Sequence, residues 1–214
     1  MKIKGAIFDL DGTLLDSMPI WDTIGADYLR SIGKTPRPEL REALRPMSSV
    51  QAAEHFIAEY GVHSSVQEIM DGIIELIADF YIDVAPAKKH VKEFLEHLKK
   101  NDVKMCIVTA TDRRLAEAAL ARNDLSGYFA TIFTCNEVGY GKDCPEIFDR
   151  AFHFLGTKKE ETYIFEDALF AMQTAKKAGY RVVAVYDDSA KGQQAEISRL
   201  ADITIRSFDE LLKQ

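Results

Sequence analysis

Apolar positions follow two rhythms along this chain, and the alternation between them predicts most of its architecture. Short, nearly unbroken apolar runs occupy residues 3–8, 103–109, 128–134, 162–165 and 181–185. Runs of that length bounded by polar residues read as strands buried on both faces. Between them apolar residues return every three or four positions, as in 88–100 with Val91, Phe94, Leu95 and Leu98, and again in 113–123, 146–155 and 168–178. That spacing lays one stripe along a helix. Strands alternating with helices imply an α/β fold with a doubly wound parallel sheet, in which ligands bind beyond the carboxyl ends of the strands. The residues that follow each apolar run are therefore the place to look for chemistry.

Residues 16–85 break the alternation. They hold no strand pattern and read as four helices near 17–31, 37–44, 49–59 and 66–82, punctuated by Gly33, Pro36, Pro46 and Gly61. The first carries Ile20, Trp21, Ile24, Tyr28 and Ile32 on one stripe, and the last carries Ile69, Ile73, Leu76, Ile77 and Phe80. The expectation is a small helical-bundle cap domain over 16–85, inserted into a core domain made of 1–15 and 86–214, with joints near Leu15 and Pro86. A chain of 214 residues has room for both.

Composition removes several classes of function. With 47% hydrophobic and 29% charged residues and no apolar stretch near 20 residues, the chain reads as a globular cytoplasmic protein without a membrane partner. A net charge of −7 with no Lys/Arg-rich face argues against nucleic acid. The three cysteines, Cys106, Cys135 and Cys144, form no C-x-x-C pair, so neither a disulfide framework nor a zinc site is suggested. No apolar stripe is left over once the core is built, and a monomer is expected.

The first apolar run ends in Asp9-Leu10-Asp11-Gly12-Thr13. Two carboxylates two residues apart leave a strand on one face, and the Gly-Thr turn folds the backbone back over them. Like charges held so close call for a cation or a shared proton, and a hard divalent metal is the natural compensation. The alternative is a plain Asp-Gly turn. After later runs come Thr109-Ala110-Thr111, then Gly141-Lys142-Asp143-Cys144-Pro145-Glu146-Ile147-Phe148, then Glu166-Asp167-Ala168 with a downstream Ala175-Lys176-Lys177-Ala178-Gly179. Taken singly, Thr111 or Asp112 is a helix cap, Lys142 a surface lysine, and the acids at 166–167 further caps.

Together, in this order and at strand ends, these segments resemble the four motifs of the haloacid dehalogenase superfamily, in its β-phosphoglucomutase-like and phosphoglycolate-phosphatase-like branch. The resemblance runs from Ile3 to Gly179. It implies a Rossmann-like core in which Asp9 is the phosphoryl-accepting nucleophile and Asp11 the general acid and base. Thr109 and Lys142 would counter charge on the phosphoryl oxygens, with Thr13, Ala110 and Thr111 beside them. Mg²⁺ would be held by Asp9, the Asp11 carbonyl and Asp167, with Glu166 as a further candidate ligand. The chain departs from the pattern at Asp143, where a Pro is usual, and at Ala168 and Ala171, which replace Ser and Gly. Asp143 is expected to face solvent.

A second Asp such as Asp11 suits an alkoxide leaving group and favours phosphoryl transfer over carbon–halogen cleavage. Mutases of the branch carry a cap His and cap basic residues that grip a second phosphate. Here Trp21 stands at the first of those positions and Ser49 at the place of a cap Arg, while residues 61–87 hold no Lys or Arg. Arg37, Arg41 and Arg45 lie at the spacing of a solvated helix face, as do Glu68, Asp71, Glu75 and Asp79. The resemblance therefore implies a phosphatase for a small phosphorylated metabolite (sugar phosphate, phosphoglycolate or nucleotide). A phosphosugar mutase and a weakly catalytic phosphate-binding protein are the other readings. Met18, Pro19, Trp21, Met47, Ser48 and Ser49 are the expected lid residues over the leaving group.

Overall fold

The computed structural model describes residues 3–44, 47 and 49–212. Ser48, with Arg45 and Pro46, lies outside them. In chain order the described elements are β1 (Gly5–Phe8), α1 (Met18–Ser31), α2 (Leu40–Leu44), α3 (Ser49–Tyr60), α4 (Val66–Asp79), α5 (Val91–Lys100), β2 (Lys104–Thr109), α6 (Arg113–Arg122), β3 (Ile132–Thr134) and α7 (Cys135–Val138). They continue with α8 (Pro145–Leu155), β4 (Thr162–Glu166), α9 (Leu169–Lys177), β5 (Arg181–Val185), α10 (Gln194–Leu200), β6 (Ile203–Ile205) and α11 (Asp209–Leu212). The strands make one parallel sheet in the order β3-β2-β1-β4-β5-β6. This is the doubly wound α/β sheet that the alternation implies.

β1 lies at the centre of the sheet, where the winding reverses, and its four residues are buried. Phe8 pairs with Ile107 on one side and Phe165 on the other, so the residues after β1 emerge between the ends of β2 and β4. One face of the sheet is packed by Ile7, Cys106, Val108 and Ile164 against Ile147, Phe148 and Ala151 of α8 and Met172 and Ala175 of α9. On the other, Phe8 stacks on Phe165 at 4.3 Å between ring centroids, with Phe94 and Phe208 against them. Cys106 is a buried core thiol whose pKa burial pushes up. No helix of the described residues is long and apolar enough to cross a membrane.

The chain divides into two compact units, one of residues 1–17 with 85–214 and the other of residues 18–84. Within the second unit Tyr28, Leu29, Leu40, Ala53, Phe56, Val62 and Ile69 form a separate apolar cluster. Its helix α4 opens with a capping box, Ser65 and Glu68 satisfying each other's backbone donors. Several sequence expectations are shortened in the structure, among them the first strand, which starts at Gly5, and α4, which ends at Asp79 before a π-helical turn over Phe80–Val84. α2 starts at Leu40 because Pro38 keeps Arg37 out of helical geometry. α5 starts at Val91 because His90 adopts a left-handed φ of 62°. The run 128–134 narrows to Ile132–Thr134, since Ser126–Tyr128 winds into a 3₁₀ turn.

Both chain crossings between the units pass through a small ladder in the first unit. Leu15 bridges Ala87 antiparallel, Asp16 N–H donates to the Pro86 carbonyl and Lys88 N–H to that of Leu14, each at 2.9 Å. Lys88 Nζ then reaches the Tyr186 carbonyl at 2.8 Å and Asp187 Oδ2 at 2.7 Å. Burial alone would raise the Asp187 pKa, but hydrogen bonds from Lys88 and Ser189 prevail and lower it. A carboxylate depressed in the folded state adds stability above its unfolded pKa near 4 and loses it as pH falls through the folded value. Lys88→Met should therefore cost about 2 kcal/mol at pH 7. Urea midpoints at pH 7, 5 and 3 should show that deficit constant down to pH 5 and shrinking below pH 4. A deficit unchanged at pH 3 would mean that Asp187 does not carry it.

Candidate active site

The site begins where β1 stops. Asp9 N–H donates to the Phe165 carbonyl at 2.9 Å, which carries the β1–β4 pairing one residue past the strand and fixes Asp9 beside Glu166. The chain then turns sharply, Leu14 and Leu15 both donating to the Leu10 carbonyl. Gly12 takes φ +78° there, and a Cβ at that position would collide with the Asp167 carboxylate. The turn thus lies directly against the end of β4, and glycine is required for both reasons.

Lys142, from the loop between α7 and α8, is buried and forms ion pairs with Asp9 and, at 2.7 Å, with Glu166. Asp9, Glu166 and Asp167 are all buried, and each offers an oxygen within 4.8 Å of the other two. Three buried acids against one lysine leave an excess of negative charge. Burial and then Glu166 push the Asp9 pKa up to about 8, Asp11 adding to the effect and Lys142 opposing it. Burial, Glu166 and Asp9 raise that of Asp167 in the same way. Lys142 would lose its proton by desolvation, yet its two carboxylate partners hold its pKa above the ordinary lysine value. A cluster this compact, oxygen-rich and short of positive charge fits a hard divalent cation.

The surrounding polar groups orient these acids. The Thr13 hydroxyl, expected to touch substrate, is fully buried and donates to Asp167 Oδ1 at 3.0 Å. Thr111, expected in the same role, donates through its hydroxyl to Asp11 Oδ2 at 2.5 Å, and Ser17 donates to Asp11 Oδ1 at 2.6 Å. Thr109 is buried at the end of β2, where its hydroxyl accepts from Thr111 N–H at 3.0 Å, and Ala110 beside it is exposed. Asp112, the alternative cap to Thr111, caps α6 by accepting from Arg114 N–H.

Glu166 has a task that its position in the sequence did not reveal. Its Oε1 holds Lys142, while Oε2 accepts from the N–H groups of Asp167 and Ala168 at 2.6 and 2.8 Å. It therefore ties the lysine to the N-terminus of α9, and the hydrogen-bonding commitments of its carboxylate leave Asp9 and Asp167 better placed as ligands. Ser17, which also holds Asp11, is marked in the sequence only by a hydroxyl six positions beyond that acid. Asp143 is exposed, as expected. In the helical unit Met18 is half-buried, while Trp21, 38% exposed, and Ser49 lie open. Trp21 is thus outside the apolar cluster of its own unit.

A parallel α/β sheet that gathers buried carboxylates and one buried lysine at its carboxyl edge is the framework of a doubly wound enzyme. The chain belongs to the haloacid dehalogenase-like hydrolase family, whose model matches residues 6–185. It is 25% identical over 212 residues to hexitol phosphatase B of Escherichia coli, covering 98% of this chain and 95% of that one. It is also 25% identical to a phosphorylated carbohydrates phosphatase of Thermotoga maritima, over 83% of this chain and 82% of the relative. A crystal structure of a variant of CbbY from Rhodobacter sphaeroides in complex with xylulose-1,5-bisphosphate superimposes with a TM-score of 0.85 at 20% identity, covering 98% and 96% of the two chains. That likeness concerns the fold.

Proposed function

We propose that this chain is a Mg²⁺-dependent phosphatase that hydrolyses a small phosphate monoester through an aspartyl-phosphate on Asp9. The observation that carries the proposal is the buried Asp9 carboxylate, paired with Lys142 inside a cluster with more acids than bases. Relatives named as phosphatases of phosphorylated carbohydrates and hexitols support the reaction class.

In the first half-reaction an Asp9 oxygen attacks phosphorus in line, the bond from phosphorus to the alcohol oxygen breaks, and Asp11 gives its proton to the departing alkoxide. Water then attacks phosphorus, Asp11 takes a proton from it, and the bond from Asp9 to phosphorus breaks to release inorganic phosphate. Lys142 and the Thr109 hydroxyl offset charge on the equatorial phosphoryl oxygens, with Ala110 presenting backbone close by. Asp9, Asp167 and the Asp11 carbonyl would hold Mg²⁺, which when bound supplies Lewis-acid polarisation and offsets the acidic excess. Thr13 and Glu166 act behind this set, through Asp167 and Lys142. Thr111 and Ser17 fix the general acid.

Residues 16–85 are proposed to be the cap domain that selects substrate, with Met18, Trp21 and Ser49 among its selecting residues, and the protein to act as a cytoplasmic monomer. The test is phosphate release from sugar phosphates, nucleotides and phosphoglycolate, with Mg²⁺ and with EDTA. Turnover that requires Mg²⁺ is expected. Conversion of β-glucose 1-phosphate to glucose 6-phosphate without net phosphate release would establish a mutase instead.

A further inference from the structure

Asn123 closes α6 and turns its side chain to another part of the first unit. Its Nδ2 donates to the Ala85 carbonyl at 2.9 Å and to that of Ala119 at 2.7 Å, and its Oδ1 accepts from Ala87 N–H at 2.8 Å. Two carbonyls at one end and an N–H at the other leave the amide a single orientation. Arg122 adds a second donor to the Ala85 carbonyl at 3.2 Å. The segment held in this way backs the turn that follows β1. Ala87 bridges Leu15, and Leu15 bridges Asp11. Leu14 and Leu15 in turn close on the Leu10 carbonyl, between the two catalytic acids. Just before the start of α6, the Thr111 hydroxyl donates to Asp11 itself. One helix therefore reaches the Asp11 turn from both of its ends, through the carboxylate at its start and through the 85–87 backing at its close.

We infer that Asn123 is a positioning residue for the general acid, holding the Asp11 turn in place through Ala87 and Leu15. The inference rests on the phosphatase reading, with Asp11 as proton donor to the leaving oxygen, and it extends that reading to a residue that lies in none of the motif segments. Asp11 stands past the end of β1, so strand pairing does not fix it. The Thr111 and Ser17 hydroxyls set the direction of its carboxylate. The place of its main chain follows the turn and the segment behind the turn. Without the Asn123 amide that segment keeps only Arg122 on the Ala85 carbonyl, and Leu15 and the turn relax with it. A proton donor displaced by about 1 Å loses up to ~10²-fold in rate. Asp9 is held separately, by its bond to the Phe165 carbonyl and by Lys142, so the loss falls on proton transfer and spares the attack on phosphorus.

The leaving group separates a positioning role from a merely structural one. A sugar alkoxide needs a proton as it departs, whereas p-nitrophenolate leaves as a stable anion and needs little help. We would measure kcat/KM on the full-length Mg²⁺-loaded enzyme for p-nitrophenyl phosphate and for the sugar phosphate of the panel turned over fastest. That quantity covers the steps up to loss of the alcohol, so the later work of Asp11 as a base does not enter. Asn123→Leu, similar in size but without the amide, should lower it by about tenfold or more for the sugar phosphate and by less than about threefold for the aryl ester. Asp11→Asn should show the same pattern with a larger loss, ~10²-fold or more for the sugar phosphate. Should Asn123→Leu fail to fold, Asn123→Asp, which keeps the acceptor for Ala87 N–H, should show the pattern with a smaller loss. Equal losses on the two esters, or no loss on the sugar phosphate, would overturn the inference and leave the phosphatase reading intact. Equal losses in Asp11→Asn would remove Asp11 as the acid and the inference with it. Wild-type enzyme that releases phosphate from neither ester would overturn both.

Discussion

Asp9→Asn should reduce phosphate release by at least ~10⁴-fold, since removal of an attacking group costs on that order or more. The same substitution should make the metal-free protein harder to unfold, and this second effect identifies the physical state of the site. Asp9 stands in a buried cluster whose acids outnumber its lysine, and its pKa is pushed up to about 8, chiefly by burial and by Glu166. A carboxyl raised in the folded state costs stability as pH climbs from the unfolded value near 4 towards the folded one. Asn, neutral at every pH, escapes that cost and keeps the shape of the side chain. In EDTA the variant's melting temperature should exceed that of the wild type by a few degrees at pH 8, with a smaller difference at pH 5. Mg²⁺ should then stabilise the wild type more than the variant, because binding to the folded state alone raises stability in proportion to affinity. Residual turnover of a tenth or more would assign the nucleophile elsewhere. A variant less stable than wild type in EDTA at pH 8 would show that the Lys142 pair outweighs the repulsion.

The core of this arrangement was legible in the sequence because it depends on local features. Apolar runs mark buried strands, and the residue after each run sits at a sheet edge by construction, so Asp9, Thr109 and Asp167 could be placed before any coordinates. Partners across the sheet could not. Nothing local to Glu166 says that its carboxylate turns back to Lys142, 24 residues earlier, because that contact depends on how the α7–α8 loop folds over the end of β4. Thr13 and Thr111 show the same limit. Their positions in the motifs are plain, but the hydroxyls go to Asp167 and Asp11, 154 and 100 residues away in the chain, and so orient acids. The short edge strand β6 is not legible either, since three residues with a half-exposed pattern carry too little apolar signal.

Whether Glu166 serves the lysine or the metal can be decided by a pair of substitutions. Lys142→Ala removes the buried cation between Asp9 and Glu166, and should lower kcat by ~10²- to 10³-fold as a lost preorganised donor does. It should also cost about 3–5 kcal/mol of stability, the usual penalty for stranding buried charges, unless those acids take up protons. Glu166→Gln keeps an oxygen for the N–H groups of Asp167 and Ala168 but loosens the grip on Lys142, and should lower kcat by about tenfold, on the scale of one weakened charged hydrogen bond. If Glu166 acts through the lysine, the double variant should be no slower than Lys142→Ala alone, and the Mg²⁺ concentration for half-maximal activity should stay nearly constant in Glu166→Gln. Additive losses, with a ~10- to 100-fold rise in the Mg²⁺ requirement, would make Glu166 part of the metal's own surroundings. The hydrogen bonds favour the first outcome, because both Glu166 oxygens already bind donors of the protein.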